Sequence, residues 1–256
     1  TIKTLEEAYF SKASPGMIEY ISRHGLTSEM LKKALEKSPE DYQKLSKFMA
    51  GIDKFKKQYQ KELVNYQKAV PGTFFPPTYL IIGANRGIGQ ASAKGQLVTI
   101  TRISDQPDRL LSMIIHELSH MQQAKTLGFG NYVSMYQKEN NMLDLVLREG
   151  GADFVTHYIA QKNTKSNKKI KYVNEREAEL WAKFQSDLAN QDQSYWLWAS
   201  VNQKEIPILL GYTIGYKICE AYYQQATDKS RALIDILGIT NPEEFLTKSG
   251  YAGNSN

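Results

Sequence analysis

The residues best equipped for chemistry in this 256-residue chain gather in one pentapeptide, His116-Glu117-Leu118-Ser119-His120. Positions four apart on an α-helix share a face one turn apart, so two imidazoles spaced this way can grip one metal ion. Glu117 is offset by one position. It would lie beside the metal instead of among its ligands, where its carboxylate can take a proton from a water molecule on the metal. Ile114, Ile115 and Leu118 supply the apolar positions that a helix with such a face needs. With 4 His and 17 Glu in the chain, an HExxH would arise by chance about 0.004 times. The plain alternative is a helix with a solvent-facing histidine pair. Half of the histidines fall inside the motif, which favours the metal.

A catalytic zinc takes three protein ligands and keeps one position open. The third ligand can be His, Asp or Glu further along, and Leu147-Arg148-Glu149-Gly150-Gly151-Ala152-Asp153-Phe154 holds the best candidate. Glu149 lies 29 positions beyond His120 and one helical turn before Asp153. With Glu149 on the metal, Asp153 can accept a hydrogen bond from the far nitrogen of a liganding histidine and fix its tautomer. Glycine inside a helix costs about 1 kcal/mol relative to Ala. A close approach to the HExxH helix would be a reason to tolerate Gly150 and Gly151 there. The alternative is a surface Glu beside a kink. His157, one turn beyond Asp153, is a rival ligand, a group supporting a ligand or a satisfied core histidine, the last two being favoured. His24 reads as surface. The single cysteine, Cys219, excludes an intrachain disulfide and a Cys-based zinc cluster, and its apolar surroundings make it core.

Helices must position these groups. Short amphipathic pieces are expected at Leu5–Lys12, Met17–His24 and Ser28–Lys37. A long helix opens at Ser38-Pro39-Glu40-Asp41, with a Ser cap, Pro in the first position and acids in the first turn. Its apolar residues, among them Tyr42, Leu45, Phe48, Ile52, Phe55, Tyr59 and Tyr66, keep three-and-four spacing to about Ala69. Thr78–Ile82 and Leu97–Ile103 are β-branched or aromatic runs that read as strands. The HExxH helix begins near Pro107, capped by Ser104 or Asp105, and stops before Gly128. Later helices are expected at Asn141–Gln161, Glu175–Asn190, Pro207–Ala226, Lys229–Leu237 and Pro242–Lys248. The class is α+β, mostly helical, with a small antiparallel sheet. The chain divides into a helical amino-terminal lobe, residues 1–75, and a second domain, residues 76–256.

Composition narrows the classes further. The chain is 41% hydrophobic and 23% charged, as a folded domain should be. A net charge of +5 is small, and the basic residues are scattered except at Lys162, Lys165, Lys168, Lys169 and Lys171. That run reads as a solvated loop, and no nucleic-acid partner is expected. No apolar run reaches 18 residues, so no transmembrane helix is expected. A start at Thr1 instead of Met is consistent with a removed signal peptide or with truncation.

HELSH followed by LREGGADF resembles the gluzincin branch of zinc metallopeptidases, in which HExxH is followed on a later helix by a Glu ligand. Asp153 matches an Asp that follows that Glu by four positions in thermolysin-like members. The NEREAELWAKF segment and GYTIGYKICEAYY, Gly211 to Tyr223, look like the predicted zinc proteases related to the gliding-motility lipoprotein family of Bacteroidetes. The resemblance covers Thr78 to Tyr223 and leaves the first 75 residues outside it. It implies a zincin-like domain that binds Zn²⁺ through His116, His120 and Glu149, with Glu117 as general base. It implies a peptide or protein substrate, an exported protein of the cell envelope or periplasm, and a lipid anchor upstream of Thr1 as one arrangement. By the family's fold a strand above the HExxH helix holds substrate, and Leu97–Ile103 is the natural candidate. Other gluzincins stabilise the oxyanion with a Tyr hydroxyl. Tyr212 and Tyr216 are both available, and Tyr212 is preferred. The spacing from His120 to Glu149 is longer than in thermolysin, and no downstream His matches its transition-state stabiliser.

Two rival readings come from other classes. Gly83-Ala84-Asn85-Arg86-Gly87-Ile88-Gly89 with Tyr158…Lys162 looks like the GxxxGxG loop and YxxxK of NAD(P)-dependent short-chain dehydrogenases. A Rossmann loop needs a helix directly after it, and only Gln90 to Gln96 separates Gly89 from the next strand. A Gly-rich hairpin at a cleft edge suits the segment better. The other rival is a non-catalytic metal-binding or peptide-binding protein on a zincin scaffold.

Overall fold

The computed structural model describes residues 1–85, 89–138, 142–160, 168–188, 192–197 and 207–253. Its helices are α1 (Ile2–Ala8), α2 (Pro15–His24), α3 (Ser28–Lys37), α4 (Pro39–Ala50), α5 (Ile52–Ala69), α6 (Pro107–Leu127) and α7 (Phe129–Met135). They continue with α8 (Met142–Ala160), α9 (Lys168–Glu175), α10 (Glu177–Asp187), α11 (Ser194–Leu197), α12 (Leu210–Gln225), α13 (Lys229–Leu237) and α14 (Pro242–Ser249). The strands are β1 (Thr78–Ile81), β2 (Gly89–Ser92) and β3 (Gly95–Thr99). The class is α+β and mostly helical, as the patterning implies.

Contacts divide the chain into two compact units. One comprises residues 1–65 and 74–121, the other residues 66–73 and 122–256. The boundary falls inside α5 and again inside α6, so each of these helices is shared.

In the first unit the sheet has the order β1-β3-β2. β3 pairs parallel with β1 and antiparallel with β2, so the sheet is mixed, not antiparallel. All five residues of β3 are buried because the strand is flanked on both sides and covered on both faces. Neighbouring side chains of a strand point to opposite faces. Val98 accordingly packs with Leu45, Phe48, Phe55, Leu110 and Ile114, while Leu97 packs with Met17, Tyr20, Leu31 and Ile81. The amphipathic stripes of α4, α5 and α6 therefore cover one face, and those of α2 and α3 the other.

Several boundaries depart from the periodicity. The long helix from Ser38 is two helices, because the chain breaks at Gly51 (φ −98°, ψ 7°), whose N–H donates to the Lys47 and Phe48 carbonyls. Glycine's low helix propensity makes that break cheap. The helix expected from Glu175 begins instead at Glu177, because Arg176 (φ −134°, ψ 25°) breaks the chain and Glu175 ends a separate helix, α9. The second strand is shorter than Leu97–Ile103, and no pattern signals β2, α7, α9 or α11; Lys168, Lys169 and Lys171, expected in a loop, lie on α9. Neither Ser104 nor Asp105 caps α6. The Gln106 carbonyl receives the Leu110 N–H, the Ser104 hydroxyl is unpartnered among the described residues, and Asp105 pairs with Lys44.

In the second unit α8 and α12 form the central pair. Among the 13 buried residues of α8 are Val146, Leu147 and Val155, and α12 answers with Ile214, Ile218 and Cys219. A Cβ on Gly150 would overlap the Gly215 backbone, and one on Gly215 would overlap the Val146 carbonyl. The two backbones touch, which only glycine at both positions allows. The EGG segment is thus spent on contact with α12, not on an approach to the HExxH helix.

Candidate metal centre

Helix α6 spans 21 residues and buries Leu110, Leu111, Ile114, Ile115 and Leu118. Burial of that stripe fixes the rotation of the helix and turns the motif's polar residues to one face. His116 is half-buried, and Glu117 and His120 are 6% and 5% exposed. The two Nε2 atoms lie 3.0 Å apart. At a tetrahedral zinc with Zn–N near 2.0–2.1 Å, two nitrogens stand about 3.3 Å apart, so both rings already point at one locus.

Gly89, the first residue of β2, lies directly over Glu117, and a Cβ there would overlap the Glu117 carboxylate. A close backbone approach therefore sits where the Gly-rich segment ends. The alternation of an antiparallel ladder turns every second residue's N–H and C=O away from the partner strand. The Ala91 carbonyl points outward, because the Arg23 guanidinium donates to it at 3.2 Å. Two positions earlier, Gly89 shares that outward orientation.

In the second unit Glu149 stands half-buried on α8 with its surroundings well defined. The preceding residue, Arg148, is buried, its Nε donating to Asp144 at 3.0 Å and its guanidinium lying 4.9 Å from the centre of the Tyr132 ring. The Arg148 carbonyl accepts from Gln123 Nε2 at 2.9 Å, which ties the last turns of α6 to α8 within this unit. The Tyr136 hydroxyl donates to Glu149 Oε1 at 3.5 Å and lies 3.1 Å from the Tyr132 hydroxyl. Burial raises the Tyr212 hydroxyl far above its usual pKa, helped by the negative charges of Glu149 and Asp153 and by a hydrogen bond to Glu149.

One donor atom from each of His116, His120 and Glu149 falls within 4.8 Å of the others. Two imidazole nitrogens and a carboxylate oxygen are a donor set suited to a divalent metal of the zinc type. Glu117 is not among the three. Asp153 stands one turn beyond Glu149, half-buried, with its charge acting on Tyr212.

His157 is not in that group. Its Nδ1 lies 2.7 Å from the hydroxyl of buried Tyr216, the rings are stacked, and burial lowers its pKa. The pair forms a packed contact between α8 and α12. His24 is half-buried, with Nε2 3.2 Å from Gln90 Oε1 and its ring against Tyr20. Cys219 is fully buried, with its thiol pushed up by desolvation.

The dinucleotide-loop reading fails on structure. Gly89 opens a strand that turns back through Ala93 and Lys94 into β3, so no helix N-terminus follows it. Residues 86–88 and Lys162, like Lys165, lie outside the described residues. Tyr158 is exposed and packs on Tyr223. Leu97–Ile103 does not offer an edge for substrate either, since β3 is central and paired on both sides.

Motif reading overlooked α7 and its tyrosines. The available signal was the spacing of Tyr132 and Tyr136, four apart and just ahead of the LREGG segment, but Gly128 and Gly130 mask the helix that carries them.

Fold and site together define a mostly helical α+β protein with a His-His-Glu cluster compatible with a metal ion. A family model described as "Predicted Zn-dependent protease (DUF2268)" matches residues 77–246, and the chain belongs to that family. No curated protein and no solved structure matches it.

Proposed function

We propose that the protein is a zinc-dependent peptidase of the gluzincin type, with His116, His120 and Glu149 as ligands. The observation that carries the reading is the convergence of those three donors within 4.8 Å, with the buried Glu117 one residue from His116. Family membership supports it. A zinc ion held there would supply Lewis acidity, making water acidic enough to be activated and polarising a peptide carbonyl. The Glu117 carboxylate takes a proton from the attacking water and passes it to the leaving amine nitrogen. The Tyr212 hydroxyl donates to the oxyanion that develops as the carbonyl is attacked. Asp153 orients the ligand set.

An extended peptide or protein segment would pair with β2 on the side away from β3, at Gly89, whose backbone groups turn outward above Glu117. β3 cannot take that part. The resemblance to the lipoprotein-related zinc proteases supports an exported, envelope-associated setting.

The test begins with metal content of the purified protein by plasma mass spectrometry, followed by a peptide-library screen. Stoichiometric zinc that is lost in His116→Ala, with turnover abolished in Glu117→Gln, is the expected result. No zinc after add-back overturns the metal site. Zinc without cleavage of any peptide would leave a binding protein.

A further inference from the structure

We propose that the hollow beside the α4–α5 break binds a small carboxylate with an apolar tail, such as a medium-chain fatty acid. The cavity has a volume of about 670 Å³ and lies wholly within the first unit. That is within the range of roughly 300–1,000 Å³ typical of small-molecule sites. It exists because the chain breaks at Gly51, where α4 and α5 part in front of the loop that leads into α6.

Its floor is apolar, formed by the buried rings of Phe48 and Phe55, which meet edge to face at 5.4 Å. Its rim is cationic. Lys44, Lys47 and Lys54 line it together with Asp105 and Asp108. The two carboxylates are already compensated. Lys44 pairs with Asp105 at 3.2 Å, which holds the Asp105 carboxyl below its usual range. Asp108 sits in the first turn of α6, where the positive helix end favours it, and accepts from Gln58 Nε2 at 3.2 Å. Lys47 and Lys54 are exposed and have no ion-pair partner among the described residues. The wall also contains Ser104, which is buried.

Apolar floor and unpaired lysines ask different things of a ligand. The rings gain from an aliphatic or aromatic tail removed from water, and the lysines gain from a single negative head near the rim. A fatty-acid carboxylate has both parts. A cationic amphiphile would be repelled, and an alcohol would use only the floor.

The proposal stands apart from the metal reading and is tested by calorimetry on the intact chain with decanoate, decanol and decylamine. Decanoate is expected to bind, with decanol at least tenfold weaker and decylamine not bound. Lys47→Glu/Lys54→Glu is expected to weaken decanoate at least tenfold. Lys56→Glu/Lys57→Glu, which changes net charge equally at lysines outside the cavity lining, is expected to leave it within twofold. Absence of decanoate binding up to about 1 mM overturns the site. Equal binding of all three ligands, or equal loss in both double variants, overturns it as well.

Discussion

The two helices that carry the donor atoms hold them by different means. On α6, one element of regular geometry does nearly everything. His116 and His120 are four residues apart, and their Nε2 atoms meet at 3.0 Å because the helical repeat places them there. On α8, Glu149 is one residue, and its position is set by what surrounds it. Gly150 presses α8 onto α12 at Gly215, Arg148 is locked between Asp144 and two tyrosine rings, and the hydroxyls of Tyr136 and Tyr212 reach the carboxylate. A local donor pair should survive changes elsewhere in the fold. A donor placed by packing should be sensitive to residues that never touch the metal.

The largest effect should come from the local half. Glu117→Gln keeps the shape of the side chain and removes the base, so turnover should fall about 10²–10⁴-fold. Zinc content should stay at the wild-type level by plasma mass spectrometry. Retained turnover would remove Glu117 from the mechanism. Next in size is a change remote from the donors. Gly215→Val drives a side chain into the Val146 carbonyl, and overpacking of this kind costs about 3 kcal/mol. For a chain of this length that lowers the thermal midpoint by roughly 6–12 °C. Calorimetry should show it, together with weaker zinc binding, because α8 must shift away from α12. A variant as stable as the wild type would break the claim that the α8 half is packing-determined.

This contrast also explains what could be read without coordinates. The His116/Glu117/His120 arrangement is written in a five-residue spacing, and the structure needs nothing distant to produce it. Glu149 could be proposed from its donor chemistry and its neighbour Asp153, but the reason for Gly150 was misplaced because the partner helix lies some 60 residues away in sequence. Helix class was legible from three-and-four periodicity. The break at Gly51 was not, since the apolar stripe runs through it unaltered. The mixed sheet escaped for a similar reason: β2 is only Gly89–Ser92, too short and too weakly apolar to announce a strand. A parallel β1–β3 pairing depends on β3 entering between the other two strands, which no local pattern records.

Tyr212 sharpens the comparison from the second unit's side. Its hydroxyl bonds to Glu149, and it is also the proposed oxyanion donor. Tyr212→Phe separates these roles. An oxyanion donor should cost about 10²-fold in kcat, with zinc affinity changed little. Loss of zinc affinity with kcat preserved in the zinc-saturated protein would make Tyr212 a positioning residue only.

The smallest effect is expected at Tyr136, and its size is a test in itself. The hydroxyl reaches Glu149 Oε1 at 3.5 Å, the outer limit of a hydrogen bond, and the residue is 38% exposed. Water can replace such a bond, so Tyr136→Phe should weaken zinc binding by no more than a few-fold, in keeping with about 0.5 kcal/mol for a weak exposed contact. Removing its neighbour gives the opposite expectation. Tyr132 is buried, and its ring stacks under the Arg148 guanidinium, so Tyr132→Ala should destabilise the unit by about 3 kcal/mol and disturb Glu149 through Arg148. A competition titration with a zinc chelator on both variants distinguishes the cases. If Tyr136→Phe proves as damaging to zinc affinity as Tyr132→Ala, then Glu149 is held mainly by the hydroxyl it meets, and packing around Arg148 is secondary.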